Sequence, residues 1–157
     1  MIHRLAQQLI ENETSLSQII FVGMQPRGVF ISDKIIAHIK TLCPQQTVQY
    51  GLLDITFYRD DVRTEMHLAN KTHLPYSIND KKVILIDDVL YTGRTIRAAL
   101  DALQDFGRPK KVELCVLVNR RFDRELPIEP NYFGLAIDGY EAQKVTVDKV
   151  NEEVFIN

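Results

Sequence analysis

Asp87 and Asp88 follow four apolar residues, Val83-Ile-Leu-Ile86, and lead through Val89, Leu90 and Tyr91 into Thr92-Gly93-Arg94-Thr95. Paired carboxylates and a Thr-Gly-x-Thr turn suit two different ligand groups. Carboxylates repel a phosphate, but they accept hydrogen bonds from neighbouring hydroxyls and hold hard cations through oxygen. The hydroxyls of Thr92 and Thr95, with backbone N–H groups freed by Gly93, suit a phosphate when they open a helix. The residues that follow, Ile96-Arg-Ala-Ala-Leu-Asp-Ala-Leu103, repeat at helical spacing. A buried strand that ends in a polar loop and opens a helix is where open α/β sheets hold ligands. A phosphate at one end and a diol at the other describe a phosphorylated sugar.

A second strand–loop–helix junction lies upstream, at Phe21-Val-Gly23-Met-Gln-Pro26-Arg27-Gly28. Glycines on both sides of Arg27 would let the backbone approach a ligand, and the guanidinium offers a fork of donors for phosphate oxygens. A third segment, Leu53-Asp54-Ile-Thr56-Phe-Tyr58-Arg59-Asp60-Asp61, opens a polar stretch that runs to Lys82. A loop this long in a compact domain is more often functional than idle. Its His67 and His73 read as solvated residues. The fourth segment is charged: Asn119-Arg120-Arg121-Phe122-Asp123-Arg124-Glu125. It reads equally as a solvated turn or as part of a site.

The elements that must position these residues alternate in type. A short amphipathic helix is predicted over residues 4–11 and a buried strand over 18–22, broken by Gly23. A helix follows from Gly28 to Lys40, then a strand from Thr47 to Tyr58. The strand at 83–86 and the helix to Phe106 carry the acidic pair and the turn. The apolar run Val112–Val118 reads as a strand covered on both faces. Strands alternating with helices predict an α/β fold with a mainly parallel sheet and right-handed crossovers. The 157 residues read as one domain, 1–157, large enough for a substantial core.

Composition is that of a globular chain, 45% hydrophobic and 25% charged. A net charge of −2 makes no electrostatic case for tight nucleic-acid or membrane binding. No apolar run approaches the ~20 residues of a membrane span, and no signal-peptide core opens the chain. Cys43 and Cys115 lack metal-ligand spacing and read as free thiols in a reducing compartment, so a cytoplasmic protein is expected.

The string Asp87-Asp88-Val-Leu-Tyr-Thr-Gly-Arg-Thr95 resembles the phosphoribosyl pyrophosphate (PRPP) motif of type I phosphoribosyltransferases. Within them it is most similar to the PyrR proteins, which combine pyrimidine-operon attenuation with uracil phosphoribosyltransferase activity. Leu53–Asp61 is similar to the run that leads into that family's closing loop. Arg120, Arg124, Glu125, Leu126 and Pro127 match a further family run, with Arg121-Phe122-Asp123 replacing Gly-His. The resemblance implies a central sheet flanked by helices, a small C-terminal hood and a flexible loop over 59–80. It implies that Asp87 and Asp88 hold the ribose hydroxyls and Mg²⁺, and that residues 89–95 hold the 5′-phosphate. It assigns Pro26, Arg27 and Gly28 to pyrophosphate, Arg59 to the departing pyrophosphate, and Arg120 and Ile137 to the base. Members of the superfamily often carry a cis peptide in the pyrophosphate loop, and Gln25-Pro26 is the bond where proline would favour it. Hypoxanthine-type enzymes place a third acid where this chain has Tyr91. A phenol is a poor base at neutral pH, which favours a pyrimidine.

The reaction so implied is uracil plus PRPP to UMP and pyrophosphate in a homo-oligomer. Three alternatives stay open: an attenuator that binds an mRNA leader with little catalysis, a purine-type enzyme, and a non-catalytic PRPP or nucleotide sensor. For RNA, only Arg4 and Arg124 are plausible carry-overs from the family's basic face.

Overall fold

The computed structural model describes residues 1–60, 71–139 and 143–157. Its elements are α1 (Ile2–Ile10), β1 (Ile19–Gln25), α2 (Val29–Leu42), β2 (Gln49–Asp54), β3 (Lys82–Leu90), α3 (Arg94–Leu103), β4 (Lys111–Arg120), β5 (Tyr132–Ile137), β6 (Val145–Asp148) and β7 (Glu153–Ile156). Strands β1 to β5 form one sheet in the order β2-β1-β3-β4-β5. Every pairing in it is parallel. The fold is the expected α/β sheet flanked by helices.

Burial on both faces explains the near-continuous apolar strands. On one face Ile20, Val22, Leu85, Leu114 and Val116 meet Ile96, Ala99 and Leu103 of α3. On the other, Phe21, Ile84, Ile86 and Cys115 meet Leu5 and Leu9 of α1 and Ile31, Ile35 and Ile39 of α2. Burial pushes the Cys115 thiol up to about 12, which keeps it an inert core group. β1 leads through α2 to β2 on one side, whereas β3 leads through α3 to β4 on the other. The chain therefore departs in opposite directions from two neighbouring strands, and their C-terminal ends open a crevice between them.

Several boundaries differ from the sequence reading, each for a local reason. Gly23 does not break β1, which runs on to Gln25. A Cβ at Gly23 would lie 2.3 Å from Ser32 Oγ, so the glycine makes room for α2 rather than for a turn. β2 stops at Asp54, short of the predicted Tyr58. There Asp54 Oδ1 accepts the Thr56 amide at 3.1 Å and the Thr56 hydroxyl at 2.7 Å, bending the chain into a 3₁₀ turn. β3 carries both acids within the strand and ends at Leu90.

The segment Tyr132–Ile137 is a fifth parallel strand on the edge of the sheet, so Ile137 belongs to the main sheet and not to a separate hood. The small C-terminal unit is the antiparallel β6–β7 pair, whose Val145, Val147 and Val154 pack on the α1–α2 side. Of the loop expected over 59–80, residues 61–70, His67 among them, lie outside the described residues. Its later part is pinned. His73 and Leu52 exchange backbone hydrogen bonds of 2.8 and 2.7 Å, and Ile78 is fully buried.

Candidate active site

The acidic pair sits where β3 leaves the core. Asp87 is 5% exposed, and its Oδ1 accepts the Asp88 amide at 2.9 Å. Asp88 Oδ1 in turn accepts the Val89 amide at 2.7 Å. Each carboxylate is thus oriented by the backbone next to it while keeping acceptor capacity. Burial, and after it the charge of Asp88, hold the Asp87 carboxyl well above the usual carboxylate range. The Asp88 amide and the Arg27 guanidinium act in the opposite direction. A carboxyl so placed gains from a cation or from hydroxyl donors.

The loop after β1 is brought against this pair by Gly28. A Cβ there would lie 2.6 Å from the Ile86 carbonyl and 3.0 Å from Asp87 Cα. Gly28 therefore allows the start of α2 to touch the backbone of β3. The space a Cβ would take at each glycine flanking Arg27 is occupied by the protein itself, by Ser32 at Gly23 and largely by β3 at Gly28. The Gln25–Pro26 bond is cis, at the position expected. Pro26 and Arg27 are exposed. Arg27 is thereby placed near Asp87 without being tied to it.

The turn after β3 depends on Gly93, whose φ of +93° lies in the left-handed region. Gly93 is also the N-cap of α3, and no side chain caps that helix. Apart from the Arg94 amide, which donates to the Thr92 hydroxyl at a long 3.4 Å, its first amides have no capping side chain, the arrangement that binds a phosphate. The Thr92 carbonyl accepts the amides of Glu125 and Leu126 at 3.0 and 3.2 Å, which fastens the turn from behind. The Thr92 hydroxyl lies 3.4 Å from the Arg94 amide, and Thr95 stands half-buried on the first turn of α3. The Arg94 side chain turns away: Nε donates to Glu125 at 2.5 Å and a terminal nitrogen donates to Asp60 at 2.9 Å. It links the turn to the loop that begins at Arg59, which is exposed directly after the 3₁₀ turn.

The charged run at 120–124, read from sequence equally as a solvated turn or as part of a site, holds two struts, Arg120 buried and Arg124 half-buried. Arg120 is 4% exposed, and its guanidinium lies 4.0 Å over the Tyr91 ring. It donates to Asp123 at 2.6 Å and to the Gln143 carbonyl at 2.9 Å. Arg124 donates to the Tyr91 carbonyl and, at 2.7 Å, to Asn119 Oδ1. Only Arg121 is a surface charge, paired in a bidentate bridge with Asp138. Ile137 is half-buried beside Arg120 in the β4–β5 register, with its carbonyl accepting the Arg121 amide at 3.1 Å. Asn119 and Asp123 were missed as partners. Their signal was an uninterrupted apolar strand running straight into arginine, because a buried cation needs an acceptor close in the chain.

The phosphoribosyl transferase domain family matches residues 1–149. A protein of Latilactobacillus sakei named Bifunctional protein PyrR is 48% identical over 156 residues, covering 95% of this chain and 86% of its own length. One of the same name from Endomicrobium trichonymphae is 40% identical over 163 residues, covering 99% and 92%. The chain belongs to the PyrR family. Among solved structures, a hypoxanthine phosphoribosyltransferase from Staphylococcus aureus superposes with a TM-score of 0.65 at 22% identity, covering 88% of this chain and 75% of that one. A hypoxanthine-guanine phosphoribosyltransferase from Bacillus anthracis gives 0.65 at 19%, covering 87% and 74%. These two likenesses show the fold, that of type I phosphoribosyltransferases.

In this PyrR-family chain the donor set suits Mg²⁺. Among the described residues no three His, Cys, Asp or Glu side chains converge, so the acidic pair is not part of an all-protein cage. Mg²⁺ characteristically takes one or two carboxylates, several waters and substrate phosphate oxygens. No helix among the described residues is long and apolar enough to cross a membrane.

Proposed function

We propose that this chain transfers the phosphoribosyl group of PRPP to uracil, releasing pyrophosphate and forming UMP, with Mg²⁺ bound alongside PRPP. The observation that carries this reading is the convergence of three groups at the ends of β1 and β3. These are the oriented acids Asp87 and Asp88, the uncapped start of α3, and Arg27 brought close by Gly28. They suit, in turn, a diol, a monophosphate and a pyrophosphate.

In this reading Asp87 and Asp88 accept hydrogen bonds from the ribose hydroxyls. The amides of residues 93–95, with the Thr92 and Thr95 hydroxyls, hold the 5′-phosphate. The Arg94 side chain braces the turn while its amide serves the phosphate. Arg27 and, across the site, Arg59 meet the charge that grows on departing pyrophosphate. Mg²⁺, when bound, neutralises pyrophosphate and draws charge toward it. The C1–oxygen bond breaks with its electrons leaving on pyrophosphate, the ring carbon takes oxocarbenium character, and uracil N1 bonds to C1 as its proton passes to solvent. Carboxylates beside the ribose favour that positive charge. Positioning and electrostatics supply the rate, and no covalent nucleophile is needed.

In this reading the base lies beside Tyr91, with Arg120 and Ile137 nearby at the ends of β4 and β5. The site presents no carboxylate in place of Tyr91, which favours a pyrimidine over a purine. A steady-state assay of uracil, hypoxanthine and orotate, each with PRPP and Mg²⁺, tests the reading. UMP formation from uracil with negligible turnover of hypoxanthine is expected. Preference for hypoxanthine would replace the base assignment, and turnover of none would leave a PRPP-binding regulator.

A further inference from the structure

We propose that His3 and His38 form a surface site for a divalent transition-metal ion of the Zn²⁺, Ni²⁺ or Cu²⁺ class. His3 lies on α1 and His38 on α2, at the face away from the crevice between β1 and β3. Their ring centroids are 5.4 Å apart, and the rings are perpendicular at 88°. Both residues are exposed, and neither ring makes a hydrogen bond or ion pair among the described residues. Two imidazoles with their nitrogens uncommitted are thus held edge to face.

The separation fits chelation. A metal ~2.0–2.1 Å from an imidazole nitrogen lies roughly 3.2 Å from that ring's centre, so two tetrahedral ligands place their centres about 5.2 Å apart. The observed spacing is close to this, and one of the two edge-to-face rings turns about its broad χ2 torsion to bring a nitrogen of each ring to the ion. The scaffold is rigid, because Leu5 and Leu9 of α1 and Ile35 and Ile39 of α2 are buried in one shared core cluster. The backbone positions of the two imidazoles are therefore fixed, and binding has only the two exposed rings to order. Imidazole suits borderline ions, whereas Mg²⁺ prefers oxygen, so this site and the acidic pair take different metals. No third His, Cys, Asp or Glu joins the pair among the described residues. The remaining positions belong to water or to an incoming ligand, as in an open site.

The test is calorimetric titration of ZnCl₂ into the EDTA-stripped full chain, alongside H3A, H38A, H73A and the double variant D87N/D88N. Circular dichroism checks folding of each. One Zn²⁺ per chain is expected in the wild type, with affinity tenfold or more lower in H3A and in H38A. H73A and D87N/D88N should keep the site. Zn²⁺ should also raise the melting temperature of the wild type and not of H3A or H38A. Equal isotherms in the wild type, H3A and H38A would overturn the proposal. So would Zn²⁺ binding that vanishes only in D87N/D88N, or no binding by the wild type.

Discussion

At the scale of single residues, the function turns on carboxylates that the backbone has aimed. The amides of Asp88 and Val89 each hold one carboxylate oxygen, so Asp87 and Asp88 enter the crevice in fixed orientations. Replacing both with Asn preserves size and removes charge. PRPP affinity should then fall tenfold or more, at least about 1.4 kcal/mol, with the fold intact. Calorimetry with PRPP and Mg²⁺ measures this, and unchanged affinity would remove the pair from the site. Gly93 is a residue of a different kind, chosen for its backbone. Its φ of +93° is strained for any side chain, while a Cβ would meet Ile128 and Leu126 at an unexceptional 3.4 Å. Gly93→Ala should therefore act through conformation and not collision. A loss of about 1 kcal/mol in urea unfolding is expected, accompanied by weaker binding of the 5′-phosphate.

At the scale of elements, the site is a contact between the start of α2 and the end of β3. The atoms that a Cβ at Gly28 would meet are all backbone: the carbonyls of Ile86 and Met24 and the Cα of Asp87. Backbone cannot rotate aside as a side chain can. Gly28→Ala should cost about 1–3 kcal/mol by overpacking. It should also separate Arg27 from the acids, so PRPP affinity should fall in the same variant. A Gly28→Ala protein with wild-type urea midpoint and wild-type PRPP binding would show that the two elements do not depend on this closeness. Behind the phosphate turn, Arg120 and Arg124 act as element-scale ties. They join the end of β4 to Tyr91 and to the chain at Gln143. Arg120→Met should mainly raise the KM for both substrates through a loosened turn, whereas a residue that contacts the reacting atoms would chiefly lower kcat.

At the scale of the molecule, the far edge of the sheet is held by charge. Glu113, 5% exposed, accepts from Lys82 at 2.8 Å, from Lys111 at 2.6 Å and from the Tyr132 hydroxyl at 2.9 Å, tying β3, β4 and β5 together. Burial pushes its carboxyl up, but the bonds from Lys111, Lys82 and Tyr132 outweigh that and hold it below the usual glutamate range. Its contribution is therefore present above the ordinary glutamate pKa and is lost as pH falls through the lowered one. Glu113→Gln should cost about 1.5–3 kcal/mol near neutral pH. That deficit should shrink in acid, where the wild type loses the same interaction, and denaturant melts across pH read it directly.

RNA regulation also belongs to this scale. Arg4 donates to the Gly134 carbonyl at 2.6 Å, and Arg124 is committed to Tyr91 and Asn119. With those two cations engaged in the fold, a gel shift with the chain's own pyrimidine-operon leader should show weak binding with a shallow salt dependence. Tight, UMP-enhanced binding with a steep salt slope would make regulation the main role.

The sequence by itself determined the alternation of elements, the parallel sheet and the Asp-Asp…Thr-Gly-Arg-Thr junction, because these follow from local periodicity and from residue types that few other structures use. Through the family resemblance it also pointed to Gln25–Pro26, which is cis, as the bond where proline would make that isomer inexpensive. It misread Gly23 as a strand break, and it could not show that Gly23 makes room for Ser32 of α2 or that Gly28 makes room for the β3 backbone, contacts that only packing creates. It missed β5 and the β6–β7 pair, where exposed edge positions blur the apolar pattern. It left Arg120 and Arg124 undecided, because a charged run looks the same whether solvated or buried. Tertiary structure decided that question by placing Asp123, Asn119, Tyr91 and Gln143 around the two guanidiniums, since buried cations persist only where acceptors from several elements converge.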